Sequence, residues 1–528
     1  MNIRAILPVL VLPALTATMS AEPAVPRAKP NIVLIYADDL GYGDVQCYNP
    51  DHGKIPTPHI DKLANEGMRF TDAHSSSAVC SPSRYSMLTG RYHWRSRLQK
   101  GIVGMWERPL IAPDRLTLGG LVRQHGYHTA MAGKWHLGWD WPIPEGKKGL
   151  LDGSTTKDIP ATDEQQAMWK ELFSKEIPGG PVDRGFDRYF GTCVPNWPPY
   201  CFIEDRRTVG IPSEFLPVRL FRNAQASKQG PALKDWTLEP ILPAITGRAC
   251  DWIRGFAKAD KPFFLYLPLT APHTPISVND AWKEKSGISP YADFVMETDA
   301  MIGRVLAALE ESGAAKNTLV IFTSDNGCAP YIGAEEMESK GHFPSGPLRG
   351  YKFDAWEGGH RVPFIVRWPG RVKPGTVSGQ LVQQADLMAT FADVLDAKLP
   401  DNAGEDSFSL LPLLEGTDQP VRAHGVNCSA SGAPALRHGP WKLILGPPGH
   451  DMGRGKGQPA ASSMHLYNLN DDLGEKNNLA TAMPEKVAEM KTLLEKLITA
   501  GRSTPGAAQK NDVEVLRFPT PGKPRSKK

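Results

Sequence analysis

Short apolar runs alternate with amphipathic segments along most of the chain. The runs are rich in β-branched and aromatic side chains, as in PNIVLIYA at 30–37, and they predict strands that are buried on both faces. The amphipathic segments have helical apolar spacing or helix end signals. Strands are predicted at 30–37, 129–132, 263–267 and 317–324, and helices at 58–67, 118–126 and 294–313. This alternation predicts an α/β fold with a large, mostly parallel sheet flanked by helices.

The pattern changes after about residue 420, where short alternating segments replace the long buried runs. Residues 441–445 and 465–469 predict antiparallel strands, and 485–500 predict a helix. We therefore expect a catalytic domain at 28–420, a smaller α+β subdomain with an antiparallel sheet at 421–502, and a flexible basic tail at 503–528. Residues 140–235 are rich in proline and predict irregular insertions around a pocket.

Composition narrows the functional classes. The 528 residues carry a formal net charge of +3, which does not favour a nucleic-acid partner. Residues 1–21 have the charged start, apolar run and small residues of a signal peptide, so we expect an exported protein, periplasmic or secreted, without a stable membrane anchor. The seven cysteines are an odd number, so at least one is unpaired or chemically modified. Their pairing and the oligomeric state stay open.

Polar side chains follow two of the predicted strands. Asp38 and Asp39 follow one, and Asp325 and Asn326 follow the other. The carboxyl ends of parallel strands meet at one edge of a sheet, and carboxylate and amide oxygens suit a hard divalent cation. Taken singly, such pairs are more often helix caps or turns.

Four further segments carry residues suited to acid–base and anion chemistry. Cys80 precedes Pro82 and Arg84 at what looks like a helix start, where backbone N–H groups can hold an anion. A buried cysteine at a capped helix fits that segment equally well. Lys134 and His136 lie on the same side of an extended segment, His273 lies between two prolines, and Lys352 precedes Trp356-Glu357-Gly358-Gly359.

These segments together resemble the signature motifs of the type I sulfatases. The motifs occur in order as DDLGYGD at 38–44, CSPSR at 80–84, GKWHLG at 133–138, PHTP at 272–275, SDNG at 324–327 and KFDAWEGGHRVP at 352–363. The similarity runs from about residue 30 to 375 and continues weakly through 466–479. It implies an alkaline-phosphatase-like fold and a catalytically competent sulfuric ester hydrolase.

In that family the motif cysteine is converted to formylglycine, so the resemblance implies that Cys80 is the modified residue and nucleophile. Its hydrate offers one hydroxyl to attack sulfur and a second to expel sulfate. The resemblance also implies one Ca²⁺ held by Asp38, Asp39, modified Cys80, Asp325 and Asn326. It further implies a partner system, formylglycine-generating or an anaerobic maturase, that acts before export.

The remaining catalytic roles follow from the same resemblance. Arg84 and His136 would contact the hydrated aldehyde, Lys134 and Lys352 would neutralise sulfate oxygens, and His273 would protonate the leaving oxygen. Two alternatives from other classes stay open. One is a phosphoester hydrolase of the same superfamily, and the other is a binding module that has lost catalysis. Asn326, where a two-zinc enzyme would have histidine, argues against the first.

The substrate is the least determined part of the prediction. Aromatic and polar residues near the motifs favour a sulfated carbohydrate over a simple aryl sulfate, with either a small molecule or an oligosaccharide as partner. Candidate substrate-binding residues, besides Lys134, His273 and Lys352, are Trp94, Arg95, Asn196 and His360.

Overall fold

Within the described residues, ten strands form one large sheet, and four more form a separate antiparallel sheet. The computed structural model describes residues 29–449 and 464–518. The described strands are β1 (Asn31–Asp38), β2 (Met68–Phe70), β3 (Ala73–His74), β4 (His128–Lys134), β5 (Arg188–Thr192), β6 (Ile203–Glu204), β7 (Arg207–Thr208), β8 (Glu214–Phe215), β9 (Pro231–Ala232), β10 (Phe263–Pro272), β11 (Thr318–Ser324), β12 (Phe364–Arg367), β13 (Thr376–Ser378), β14 (Val382–Gln383), β15 (His424–Cys428), β16 (Pro434–His438), β17 (Trp441–Leu445) and β18 (Met464–Asn468).

The helices flank the large sheet or pack on the small one. They are α1 (Pro58–Asn65), α2 (Cys80–Thr89), α3 (Leu118–Gln124), α4 (Asp163–Ser174), α5 (Ile241–Phe256), α6 (Pro290–Glu311), α7 (Ala334–Ser339), α8 (Glu357–His360), α9 (Leu387–Val394), α10 (Leu411–Leu414) and α11 (Pro484–Ala500). Within the described part of the chain, no helix has both the length and the apolar character needed to cross a bilayer.

The large sheet has the strand order β13-β2-β12-β11-β1-β10-β4-β5-β6-β7. Its centre, β11-β1-β10-β4-β5, is parallel throughout, and the outer strands are mostly antiparallel. Strand β1 alternates between two hydrophobic clusters: Val33 and Ile35 pack with α5 and α6, while Leu34 and Tyr36 pack with α2 and α9. Both faces are therefore buried, which explains the continuous apolar run and confirms the predicted α/β class.

The predicted core strands and helices are present, with ends shifted by a few residues. The prediction for 140–235 is wrong at β5, which pairs in parallel with β4 and extends the large sheet. This short strand was not predicted because the sequence on both sides of it is rich in proline. It is held in place because Tyr189 is fully buried and its hydroxyl donates to the Gly133 carbonyl at 3.1 Å.

The small sheet has the order β15-β16-β17-β18, and α11 packs on it through Val487, Met490 and Leu494. These elements lie inside the predicted range 421–502. The predicted signal peptide lies outside the described residues. None of the seven cysteines, all of which lie in the described part of the chain, forms a disulfide bond.

The segment 503–518 corrects the expectation of a tail that is loose from residue 503. Asp512 pairs with the buried Arg91 at 3.0 Å, Asn511 accepts a hydrogen bond from Arg95 at 3.0 Å, and Val515 is buried. No local pattern indicates these partners, because both arginines lie about 400 residues earlier in the chain. Residues 519–528 lie outside the described part.

Candidate active site

Four parallel strands end at one edge of the large sheet, and each delivers a polar side chain there. Strand β1 ends at Asp38 and β4 ends at Lys134, while Asp325 follows β11 and His273 follows β10. Gly133 is required for this convergence. Its φ is 137°, and a Cβ there would lie 1.8 Å from the Pro268 carbonyl oxygen. The sheet therefore brings together residues that are far apart in the sequence.

Three buried carboxylates form the centre of the site. Ligand oxygens of Asp38, Asp39 and Asp325 all lie within 4.8 Å of one another. Asn326 donates through Nδ2 to Asp39 Oδ1 at 2.7 Å, and its buried Oδ1 accepts no hydrogen bond from the described residues. Three carboxylates and an unpartnered amide oxygen are the donor set that a hard divalent cation prefers, so these residues fit such an ion.

Three buried cations compensate the carboxylates. Lys134 Nζ lies 2.7 Å from Asp38, Lys352 Nζ lies 2.7 Å from Asp39, and Arg84 Nη2 lies 2.8 Å from Asp325. Burial favours the neutral form of Asp38, but Lys134, His273 and Arg84 together hold the pKa of this carboxyl well below its usual range. Burial and the neighbouring Asp38 carboxylate raise the pKa of Asp325 to about 7, against the opposing charge of Arg84.

Cys80 is the first residue of α2, and its side chain faces the carboxylate cluster. The residue is 2 % exposed, and Sγ lies within 4.8 Å of ligand atoms of Asp38 and His273. Pro82 lies in the first turn, where an N–H is not needed for the helix. Burial raises the pKa of the Cys80 thiol although Lys134 and Lys352 favour the thiolate. An unmodified Cys80 is therefore a neutral thiol and a poor nucleophile.

Two histidines lie beside the carboxylate cluster. His136 has a positive φ of 52°, its Nε2 lies 3.1 Å from the Val103 carbonyl, and its buried Nδ1 has no hydrogen-bond partner among the described residues. His273 directs Nε2 towards Asp39 Oδ2 at 3.7 Å. Burial lowers the pKa of His273 to about 4, although Asp39 opposes this shift.

The candidate substrate residues fall into two groups. Asn196 lies beside His273, because its Nδ2 donates to the Thr274 hydroxyl at 3.2 Å. Trp94, Arg95 and His360 lie elsewhere, which corrects their predicted contact with substrate. Trp94 stacks on Tyr92 in the core of the small sheet, and Arg95 forms a buried pair with Asp406 at 2.8 Å.

His360 belongs to a second buried polar cluster, with Nδ1 3.1 Å from His74 Nδ1 and Nε2 3.3 Å from Lys442 Nζ. Its position next to Glu357-Gly358-Gly359 does not indicate which buried cluster its ring enters. Sequence reasoning also missed Tyr331. Burial raises the pKa of its phenol against the opposing charge of Lys352. An isolated tyrosine after a proline carries no motif that could have identified it.

Comparison with known proteins agrees with this geometry. The family model described as Sulfatase matches residues 30–397. The N-acetylgalactosamine-6-O-sulfatase of Bacteroides thetaiotaomicron is 32% identical over 511 residues, covering 89% of this chain and 93% of the relative. Human arylsulfatase A is 33% identical over 515 residues, which cover 91% of this chain and 90% of the relative.

A solved structure gives the same result. It comes from work on the metabolism of multiple glycosaminoglycans by Bacteroides thetaiotaomicron, and it aligns with a TM-score of 0.76 and 32% identity over 89% of this chain and 99% of that one. The chain belongs to the sulfatase family, within the alkaline phosphatase superfamily, and is an enzyme that hydrolyses sulfate esters.

Proposed function

We propose that this sulfatase removes sulfate from a sulfated carbohydrate through a formylglycine made from Cys80, with one Ca²⁺ in the site. The observation that carries the proposal is the position of Cys80. It lies at a helix N-terminus, within 4.8 Å of ligand atoms of Asp38 and His273, and its thiol is held neutral by burial. An aldehyde at this position, once hydrated, would supply the hydroxyl nucleophile that the thiol does not.

Asp38, Asp39, Asp325 and Asn326 would hold the ion together with modified Cys80. Calcium suits four oxygen donors of this kind and accepts a fifth, and it would supply Lewis acidity at the nucleophile. Asp325 is positioned to take a proton from the attacking hydroxyl. Its pairing with Arg84 at 2.8 Å fixes the carboxylate for that transfer.

The cations have separate roles in this proposal. Lys134 pairs with Asp38 and Lys352 pairs with Asp39, so each can neutralise a different sulfate oxygen. Arg84 would orient the nucleophile. His136, with an unpartnered buried Nδ1, would accept the proton that leaves when sulfate is expelled. His273, assisted by Lys352, would protonate the departing alcohol oxygen.

The relatives guide the choice of substrate class. One is named for a sulfated amino sugar, N-acetylgalactosamine 6-sulfate, and a solved structure with a related fold holds D-glucosamine-2-N,6-O-disulfate. The second candidate is a simple aryl sulfate, and similarity to an arylsulfatase at 33% identity favours it. The carbohydrate is the better match because the relative named for it is covered over 93% of its length, and a solved structure from work on glycosaminoglycan metabolism aligns at TM-score 0.76.

The burial of Cys80 has a consequence for maturation. At 2 % exposure in the folded chain, the thiol is inaccessible to a modifying enzyme. We therefore propose that a formylglycine-generating or anaerobic maturase acts on the unfolded chain, before an export that residues 1–21 would direct.

The test measures sulfate released from a panel of sulfated mono- and oligosaccharides, with a nitrophenyl sulfate beside them. We expect release from at least one sugar, and none from Cys80→Ala. Active protein should give a tryptic peptide around residue 80 that is lighter than encoded. Turnover of the aryl ester with no release from any sugar would contradict the carbohydrate proposal, and an unmodified Cys80 in active enzyme would contradict the nucleophile.

A further inference from the structure

Asp39 adopts a backbone conformation that its neighbours must hold. Its φ is 62°, in the left-handed region that residues other than glycine seldom adopt, and it directly follows the last residue of β1. The Asp39 N–H donates to Asp325 Oδ1 at 3.1 Å, and the Leu40 N–H donates to the Ser324 hydroxyl at 3.0 Å. The chain therefore turns sharply at Asp39, and this turn determines where the Asp39 carboxylate lies.

A further buried carboxylate, Asp44, contacts the other side of this turn. Asp44 Oδ2 accepts from the Gly41 N–H at 2.8 Å, and Asp44 Oδ1 lies 2.9 Å from His342 Nε2. The Tyr291 hydroxyl lies 2.6 Å from Asp44 Oδ2 and 3.0 Å from the Asp39 carbonyl oxygen, so it links the two residues. The side chains of Asp44, Tyr291 and His342 are all buried.

Two of these neighbours determine which atoms position 44 must offer. His342 Nδ1 accepts from the Lys54 N–H at 3.1 Å, so the ring hydrogen of His342 is on Nε2 and points at Asp44 Oδ1. The Gly41 N–H can only donate, and it points at Asp44 Oδ2. Both oxygens must therefore accept, which a carboxylate can do and an amide of the same shape cannot.

The backbone around Asp44 is packed tightly enough to fix its position. The Gly43 N–H donates to the Pro344 carbonyl at 2.7 Å. A Cβ on Gly41 would lie 2.3 Å from the Pro344 carbonyl oxygen, and a Cβ on Gly43 would lie 2.1 Å from the Phe343 carbonyl oxygen. The chain before Asp44 therefore lies directly on the backbone that carries His342, and Asp44 has a rigid support.

We propose that Asp44 is a positioning residue for Asp39, acting through Tyr291 and the backbone of the turn. It keeps Asp39 in the left-handed conformation that places its carboxylate within 4.8 Å of ligand oxygens of Asp38 and Asp325. This inference rests on the proposed calcium site, in which Asp39 is a ligand. Without the contacts to Asp44, the turn would relax towards the extended backbone that most residues adopt, and one oxygen ligand would be misplaced.

The first test compares Tyr291→Phe with the matched control Tyr127→Phe. Both tyrosines are buried, and each hydroxyl bonds to a backbone carbonyl next to β1, at Asp39 for Tyr291 and at Pro30, at the opposite end of the strand, for Tyr127. Each substitution removes one buried hydroxyl, so both should lower the unfolding midpoint. We expect Tyr291→Phe alone to raise the dissociation constant of Ca²⁺, measured by titration calorimetry, about tenfold.

Turnover at saturating Ca²⁺ gives an independent measurement, on the sulfate ester that wild type hydrolyses fastest. Tyr291→Phe should lower kcat about tenfold and change KM by about twofold or less, since Asp39 belongs to the reacting centre and not to the part that binds the alcohol. Asp44→Asn should have a larger effect on kcat and on Ca²⁺ binding, because its amide sets an N–H against His342 or Gly41. Tyr127→Phe should keep both wild-type values.

Two results would contradict the proposal in different ways. If Tyr291→Phe and Tyr127→Phe have equal calcium dissociation constants and equal kcat, Asp44 has no positioning role and the calcium site stands. Wild-type protein that binds no Ca²⁺ would instead overturn the proposed calcium site, and the role of Asp44 with it.

Discussion

Lys442 Nζ, on strand β17 of the small sheet, lies 2.9 Å from Glu357 Oε1, on helix α8. Both side chains are fully buried, and the same ammonium group lies 2.9 Å from Glu475 Oε1. Glu475 also accepts a hydrogen bond from the Glu357 backbone N–H at 2.7 Å. One lysine therefore holds two buried carboxylates where the two parts of the chain meet.

Replacing Lys442 with alanine should destabilise the protein strongly. Removing one partner of a buried ion pair leaves an uncompensated charge, which costs about 3 kcal/mol of unfolding free energy. Thermal unfolding measures the change. The matched control is Lys147→Ala, because Lys147 pairs with Glu164 at 2.6 Å on the surface and contributes about 1 kcal/mol or less. Equal effects of the two substitutions would show that the buried pair does not hold the interface.

The pH dependence of stability should report Glu475. Burial raises the pKa of Glu475 from 4.5 to about 7, with Lys442 opposing and Glu357 reinforcing the shift. Between pH 4.5 and about 7 the folded protein keeps a proton on Glu475 that the unfolded chain has released. The stabilisation of the folded state by this proton is therefore fully present below pH 4.5 and is lost as the pH rises through about 7.

Glu475→Gln should therefore flatten the fall of the unfolding midpoint between about pH 5 and about pH 8, since glutamine does not titrate. The exposed Glu164→Gln should leave the pH profile as it is in wild type. An unchanged slope in Glu475→Gln would assign the pH dependence to another group.

The sequence predicted the parallel core well because each core strand is buried on both faces. Such a strand must be continuously apolar, and the run 317–324 differs from β11 by one residue. The convergence of the candidate site residues was also predictable, since each of them lies in a motif. Strand β5 was missed because a strand of five residues is too short to show a clear hydrophobic pattern within a proline-rich segment.

The partners that individual side chains contact were harder to predict. Arg95 follows the cysteine motif closely, yet its guanidinium turns to Asp406 and Asn511, partners that lie hundreds of residues later. Long-range pairing of this kind leaves no local pattern in the chain.

The C-terminal segment should contribute measurably to stability. A chain ending at Arg502 loses Asp512 and Asn511, so the buried Arg91 and Arg95 each lose a partner, and it exposes the apolar surface that Val515 covers. We expect a lower unfolding midpoint, equivalent to about 2 kcal/mol or more. A chain ending at Phe518 is the control and should unfold as the full chain does. Asp512→Ala alone should reproduce part of the loss. Identical unfolding midpoints for the two truncated chains and Asp512→Ala would contradict the assigned contacts.

Calcium should stabilise the protein through the carboxylate cluster. A ligand that binds only the folded state adds about 2.7 kcal/mol at one hundred times its dissociation constant. Chelation should therefore lower the unfolding midpoint of wild type, and added Ca²⁺ should restore it. Asn326→Ala removes the unpartnered amide oxygen and should reduce this calcium-dependent shift by at least half.

The control for Asn326→Ala is Asn317→Ala, at the opposite end of the same strand, where the side chain bonds to the Lys29 carbonyl at 3.2 Å. It should keep the full calcium response, because the strand separates it from the carboxylates. The response is read as the difference between midpoints with and without Ca²⁺ within each variant, so a general loss of stability cancels. A full response in Asn326→Ala would remove Asn326 from the ligand set, and no response in wild type would leave the site to a different ion.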